Sequence, residues 1–324
     1  MSPAAQILNT LRESNHGVSG SDLCNLMGVS RAAIWAHIEN LREAGFQIIA
    51  SPHRGYQLVG FPEKLVAEDL ESRVFEHQII GGSVRVLNST TSTNDEAERF
   101  AADQEPEGLV VFSESQTHGR GRMGRKWSSP AGKGLWFSIL LRPILSANEC
   151  TQLTVASAVS LVRAINETTG ITPDIKWPND LLIREKKIAG ILTEMHAELD
   201  CVRHVIIGVG IDVNQNHSDF PVQLRKTATS LKIVSGATVD RTALAEAILR
   251  EIDKDYKRVL HGQFNQVAQE WADHCGTLGK EVNIQSGRNR VTGRAESLDE
   301  TGALLVRTQH GRIERVIGGD IAVI

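Results

Sequence analysis

The chain has 324 residues, and at roughly 100 to 200 residues per domain this implies two or three domains with enough apolar material for real cores. With 41% hydrophobic and 23% charged residues it has an ordinary globular composition, which excludes collagen-like, low-complexity and disordered classes, and no apolar run approaches the roughly 18 residues of a spanning helix. A formal net charge of −4 excludes wholesale polyanion binding but leaves room for a small DNA-binding surface or a local phosphate site.

In chain order, residues 1–62 read as three helices and a hairpin. Ser2 caps a first helix with Pro3 at its first position, and Ala4, Ile7, Leu8 and Leu11 form its apolar face. Ser21 caps a short second helix that ends at Gly28; Ser30 caps a third, with Ile34, Ile38 and Leu41 inward and Gly45 as its stop. So tight a junction predicts a helix-turn-helix, and Phe46, Ile48 and Ala50, the turn from Ser51 to Gly55, then Tyr56 and Leu58 predict a β-hairpin wing. Residues 63–274 alternate strand-like runs (Ser83 to Leu87, Leu109 to Ser113, Leu135 to Leu141, Ile175 to Trp177, Ile188 to Glu194, Val202 to Gly208) with helical periodicity from Thr151 to Glu167 and from Thr242 to Leu260, which predicts a mixed-sheet α/β domain. Residues 275–324 are short strands separated by turn signals and predict a small β-barrel. The chain is therefore expected to be α+β and multidomain. Its first residues lack the pattern of a leader, so a cytoplasmic protein with no membrane attachment is expected. Cys24, Cys150, Cys201 and Cys275 are scattered without a C-x-x-C, so they read as reduced packing residues, and no residue is assigned to a metal site.

The densest chemical signal runs from Gly119 to Trp127, Gly-Arg-Gly-Arg-Met-Gly-Arg-Lys-Trp. No acidic residue lies between Glu114 and Glu149, while Arg120, Arg122, Arg125, Lys126, Lys133 and Arg142 supply six positive charges. Glycines let backbone approach a ligand and guanidinium forks bind phosphate oxygens, so an anionic ligand belongs here. Residues 119–124 match G-x-G-x-x-G, but the segment from Trp127 to Gly134 cannot open a helix on a pyrophosphate, and the G-K-[ST] of a P-loop is missing, so both nucleotide fingerprints fail. Four further clusters stand out: Ser92-Thr93-Asn94, a helix cap or a polar binding cluster; Gln116, an amide beside the glycine loop; Lys176 to Asp180 followed by Lys187 and Gly190; and the strand from Gly208 to Asn214, which ends in small residues.

The combination of these segments resembles the biotin protein ligases of the bifunctional ligase and biotin operon repressor type, and the resemblance spans essentially the whole chain. It implies a winged helix-turn-helix, a catalytic domain of the biotin/lipoate ligase type and a C-terminal SH3-like barrel. It implies that biotin and ATP form biotinyl-5′-AMP, from which biotin passes to a lysine of the biotin carboxyl carrier protein of acetyl-CoA carboxylase, with Mg2+ accompanying the phosphates. By matching motif positions, Ser92, Thr93, Asn94 and Gln116 surround the ureido ring, and Gly190 and Gly208 belong to the same biotin pocket. Arg120, Gly121 and Arg122 hold the biotin carboxyl and the phosphates, Lys187 bridges the mixed anhydride, and Asp180 orients the incoming amine. Trp127 stacks under adenine, with Asn179, Ile211 and Asp212 nearby. Arg120, Arg122, Lys187 and Asp180 are the implied catalytic set. Further implications are a homodimer when the adenylate is bound and binding to operator DNA through Arg31, Trp35, Arg42 and Arg54.

Two places depart from the pattern. Gly210-Ile211-Asp212 replaces the usual Gly-Ile-Asn and brings a carboxyl near the nucleotide, and Trp35 and Ala36 stand on the third helix where polar or basic DNA-facing residues are expected; residues 1–62 carry four arginines, no lysine and four acidic residues. The alternatives are a monofunctional ligase whose N-terminal domain does not bind DNA, a lipoate or octanoyl transferase, and a regulator that only senses a small molecule.

Overall fold

The protein was analysed as a computed structural model that describes residues 2–14, 16–52, 54–74, 78–198 and 201–324. The N-terminal unit comprises α1 (Pro3–Glu13), α2 (Gly20–Met27), α3 (Arg31–Glu43) and the antiparallel pair β1 (Gln47–Ser51) and β2 (Gly55–Gly60). Ser2 and Ser30 cap α1 and α3 as expected, each contribution being about 1 kcal/mol. The cap of α2 is Ser19, not Ser21: Ser19 Oγ accepts from the Asp22 amide, and Ser21 lies inside the helix, where its hydroxyl accepts from Arg31. Gly28 closes α2 in the left-handed conformation. Ile7, Leu8, Leu11, Leu23, Ile34, Ile38, Leu41, Phe46 and Ile48 form one small core.

The central unit runs through α4 (Ala67–Glu71), β3 (Ser83–Leu87), α5 (Thr93–Ala102), β4 (Leu109–Ser113), β5 (Gly134–Leu141), α6 (Thr151–Thr169), β6 (Asp174–Lys176), β7 (Asp180–Ile183), β8 (Lys186–Glu198), β9 (Cys201–Asp212), α7 (Leu231–Ser235), α8 (Arg241–Leu260) and α9 (Phe264–His274). Its seven strands lie in the order β3-β4-β5-β9-β8-β7-β6, with β3 and β4 parallel and the other neighbours antiparallel, so the sheet is mixed as expected. Local periodicity does not isolate α5, α9 or β7.

Period-two alternation divides the sheet into two faces. Along β9, Val205, Ile207, Val209 and Ile211 enter the main core shared with α6 and α8, whereas His204, Ile206, Gly208, Gly210 and Asp212 point to the opposite face, where α5 packs through Ala97 and Ala101. α5 covers only part of that face. Beyond its N-terminus, Gly208, Gly210 and Gly190 let Asn94 and Trp127 lie directly against the strand backbone along a trough.

The C-terminal unit is the expected small β domain: β10 (Glu281–Ser286), β11 (Asn289–Leu298), β12 (Leu304–Thr308), β13 (Ile313–Val316) and β14 (Asp320–Val323) pair antiparallel in the order β13-β12-β11-β10-β14. The units are joined by specific polar contacts. Arg12 of α1 reaches Asp69 of α4 at 2.5 Å and Ser72 at 2.9 Å, Gln152 donates to the Glu300 carbonyl, and Arg125 of the glycine loop pairs with Asp320. No helix among the described residues is long and apolar enough to cross a membrane.

Candidate active site

The trough has a polar end at the start of α5. Ser92, Thr93 and Asn94 are all buried there, and Gln116 folds over them: its Oε1 accepts from the Thr93 amide at 2.8 Å, and its Nε2 donates to Ser129 Oγ. Ser138 Oγ of β5 lies 2.7 Å from Thr93 Oγ1 and 2.5 Å from Asn94 Oδ1, and Asn94 Nδ2 donates to Glu194 of β8 at 2.7 Å. Gly208 belongs to this end because a Cβ there would lie 2.1 Å from Asn94 Oδ1. Ser138, Ser129 and Glu194 are additions to the expected set. Ser138 had a readable signal, a lone hydroxyl in an otherwise apolar run, whereas Glu194 and Ser129 had none beyond their polarity.

The other end is cationic. Trp127 lies across two glycines that pair between strands, Gly190 of β8 and Gly210 of β9; a Cβ on Gly210 would come within 2.5 Å of the indole and one on Gly190 within 3.1 Å. Lys187 Nζ sits 5.2 Å from the centre of the Trp127 ring and 2.6 Å from Asp180 Oδ1, while the Lys187 backbone is clamped between Thr227 and Thr229. Arg122 donates to Asn179 Oδ1 at 3.2 Å, and Asn179 is held in turn by the Ile191 carbonyl. Partial burial draws the Arg122 guanidinium below its usual pKa, with Asp180 and Asp320 opposing that shift.

The glycine loop is held by Gly121 N–H to the Arg125 carbonyl at 2.7 Å and by Trp127 N–H to the Gly119 carbonyl at 2.8 Å, and Met123 takes a left-handed φ of 56°. Its cations are not the uncompensated cluster that local sequence suggests. Arg120 pairs with Asp95 at 2.6 Å and Glu194 at 2.8 Å, and Arg125 pairs with Asp320, all carboxylates from distant sequence. Arg142 does not belong to the cluster, because its guanidinium donates to the Ala101 and Glu105 carbonyls at the far end of α5.

Two of the expected nucleotide positions separate by strand parity. The Ile211 side chain is fully buried in the main core, so at most its backbone faces the trough, whereas Asp212 is on the site face. Asp212 is also buried and accepts from Gln215 Nε2 at 2.6 Å. Burial pushes its carboxyl well above the usual aspartate range, and the positive charge of Lys187 pulls the other way.

The positions expected to face DNA also divide. Trp35 is 59% exposed, Arg31 is exposed beside Ser21, and Arg54 is exposed next to His53, which lies outside the described residues. Arg42 is not an outward cation: its Nε and Nη2 donate to the Ile48 carbonyl and its Nη1 to Glu39, so it fastens α3 to the wing.

Comparison with known proteins identifies the three units. Residues 84–212 match the Biotin/lipoate A/B protein ligase family, residues 4–57 an HTH domain, and residues 277–323 the Biotin protein ligase C terminal domain. The chain belongs to the biotin protein ligases and carries the helix-turn-helix domain of those that double as repressors. It is 38% identical over 304 residues to the bifunctional ligase/repressor BirA of Bacillus spizizenii, covering 94% of this chain and 93% of that one. It is 30% identical to the protein of the same name from Escherichia coli, covering 94% and 92%. Among solved structures, a biotin protein ligase from Aquifex aeolicus in complex with biotin and ATP aligns with a TM-score of 0.64 at 31% identity, over 75% of this chain and 98% of that chain.

Proposed function

We propose that the trough binds biotin with its ureido ring at the Thr93, Asn94, Gln116 and Ser138 end and ATP over Trp127, and that the chain forms biotinyl-5′-AMP before passing biotin to a lysine of a carboxyl carrier protein. The observation that carries this reading is the junction of the two ends: a buried set of donors and acceptors suited to a neutral urea runs directly into Arg120, Arg122 and Lys187, suited to a carboxylate and phosphates. In the first step a biotin carboxylate oxygen attacks the α-phosphorus and pyrophosphate leaves. Fixed cations stabilise the charge that builds on the phosphoryl oxygens. Arg120 turns from Glu194 and Asp95 to the biotin carboxylate, and Lys187 leaves Asp180 to bridge the anhydride. Asp180 is thereby freed to hold the incoming ammonium and take its proton, after which the amine attacks the biotinyl carbonyl and AMP departs.

Magnesium would be carried chiefly by the ATP phosphates, and Asp180, paired with Lys187 at 2.6 Å, would be the carboxylate able to help hold it and offset phosphate charge. Incubation with ATP, biotin and a carrier domain should add one biotinyl group to the carrier by intact mass. An unmodified carrier together with absent ATP–pyrophosphate exchange would overturn the reading.

The winged helix supports a second role, repression by a homodimer that forms when the adenylate is bound. On the side away from β9, β7 pairs with β8 only between Lys186 and Gly190, so among the described residues β8 has no partner strand there from Thr193 to Glu198. Such an edge is suited to pairing with a second copy.

A further inference from the structure

The same sheet face that carries Glu194 continues two residues along β8 to His196, which stands directly opposite His204 of β9. Their rings are parallel, with centroids 5.2 Å apart and an interplanar angle of 5°. His204 is buried, and its Nε2 lies 2.9 Å from Oε2 of Glu98, which is on α5 one turn beyond Asn94. One ligand atom from each of Glu98, His196 and His204 falls within 4.8 Å of the other two.

We propose that Glu98, His196 and His204 bind a divalent transition metal of the zinc class, with one coordination position open to solvent. Two imidazoles and a carboxylate are a borderline-soft set that favours zinc or cobalt over magnesium or calcium. Ligands about 2.1 Å from a tetrahedral ion lie roughly 3.4 Å from one another. The observed spacing, from 2.9 Å up to the 4.8 Å limit, brackets that value. His204 is fixed by burial, while Glu98 and His196 are exposed and can adjust by small side-chain rotations. The three side chains come from α5, β8 and β9, so a shared cation ties three separate elements together. The neighbouring Arg203 does not oppose it, being paired with Glu198 at 2.7 Å. The bound metal fastens α5 to β8 and β9 one helical turn from the residues that line the biotin end, yet it is separate from the ATP-bound magnesium and does not depend on the reaction proposed above.

The test is titration of the full chain with ZnCl2 against a chromophoric chelator, for the wild type, His196→Ala and Glu98→Gln. Both substitutions are at exposed positions, and circular dichroism and pyrophosphate exchange run with Mg2+ but without added zinc should show that the fold and activity persist. The wild type should take up one equivalent more than either variant, or bind it at least tenfold more tightly. Substitution with Co2+ should give visible ligand-field bands that both variants lose, with no thiolate charge-transfer band. Equal stoichiometry and affinity in all three proteins, or a thiolate band that points to Cys201, would overturn the proposal.

Discussion

Lys187 and Asp180 hold each other at 2.6 Å, so each keeps the other placed until an anion competes for the lysine. Lys187→Ala should therefore leave the fold intact and slow adenylate formation by roughly 10² or more, the scale for losing one preorganised charge donor; pyrophosphate exchange at the wild-type rate would remove the lysine from the mechanism. Asp212 behaves differently, because burial and not pairing governs it. In the unfolded chain its carboxyl ionises near pH 4, whereas in the folded chain it keeps its proton to higher pH. Across that window the folded state binds more protons than the unfolded state, so this residue makes stability fall as pH rises. Asp212→Asn should remove that slope and raise stability at pH 8 by about 1–3 kcal/mol, the scale of one buried polar group's desolvation; melting curves at pH 5 and pH 8 check it, and a variant with the wild-type pH dependence contradicts it. The departure from Gly-Ile-Asn therefore brings a buried carboxyl whose charge is disfavoured by desolvation. Motif spacing made Lys187, Asp180 and Gln116 legible in the sequence, because each lies in a contiguous run with an unusual composition. Glu194, Asp95 and Ser129 were not, since their contacts arise only when distant strands, loops and α5 come together.

At the level of elements, β9 shows how one strand serves both core and site. Its odd-numbered residues from Val205 to Ile211 pack against α6 and α8, while Gly208 and Gly210 let Asn94 and Trp127 lie close on the other face. The two glycines face different side chains: a methyl group on Gly208 meets Asn94 at 2.1 Å, and one on Gly210 meets the Trp127 indole at 2.5 Å. Gly208→Ala should raise the KM for biotin about tenfold or more with little change for ATP, and Gly210→Ala should do the reverse, each by a displacement worth about 1.4 kcal/mol or more. Steady-state exchange kinetics with each substrate varied in turn decide this, and equal effects on both constants in both variants would show that the trough is not divided as described. Strands of this kind were readable from their β-branched runs, and β3 and β4 coincide with the expected residues. α5 and α9 were not isolated, since α5 begins in a polar cluster and buries a face built largely of alanine, which gives only a weak apolar stripe. Ser19 replaced Ser21 as a cap because several serines stand together there, and only the placement of Leu23 against α3 selects among them.

At the scale of the whole molecule, the winged helix is anchored to the catalytic unit through Arg12, which lies between Asp69, Ser72 and the ring of Phe61. Asp69 also pairs with Arg73, which continues to Glu246 of α8, so the DNA-facing unit is tied into the ligase core and not loosely appended. That continuity fits a repressor whose two winged helices are set by the geometry of a ligand-bound dimer. The cations available for DNA are few, because Arg12 and Arg42 are committed to internal contacts and residues 1–62 contain no lysine. Arg31 and Arg54 remain, about four phosphate contacts per dimer, so the logarithm of the affinity should fall with the logarithm of salt with a slope no steeper than about −4. Affinity must then come chiefly from joining two half-sites and from contacts such as the exposed Trp35 against a thymine methyl or sugar edge. In a mobility-shift assay with DNA from upstream of biotin-synthesis genes, biotin plus ATP should produce a shift that is absent without them. Trp35→Ala should weaken that shift by about tenfold while leaving pyrophosphate exchange unchanged. A steep salt slope would mean that cations outside the winged helix reach the DNA, and the absence of any ligand-dependent shift at low salt would leave a ligase whose helix-turn-helix does not act on biotin genes.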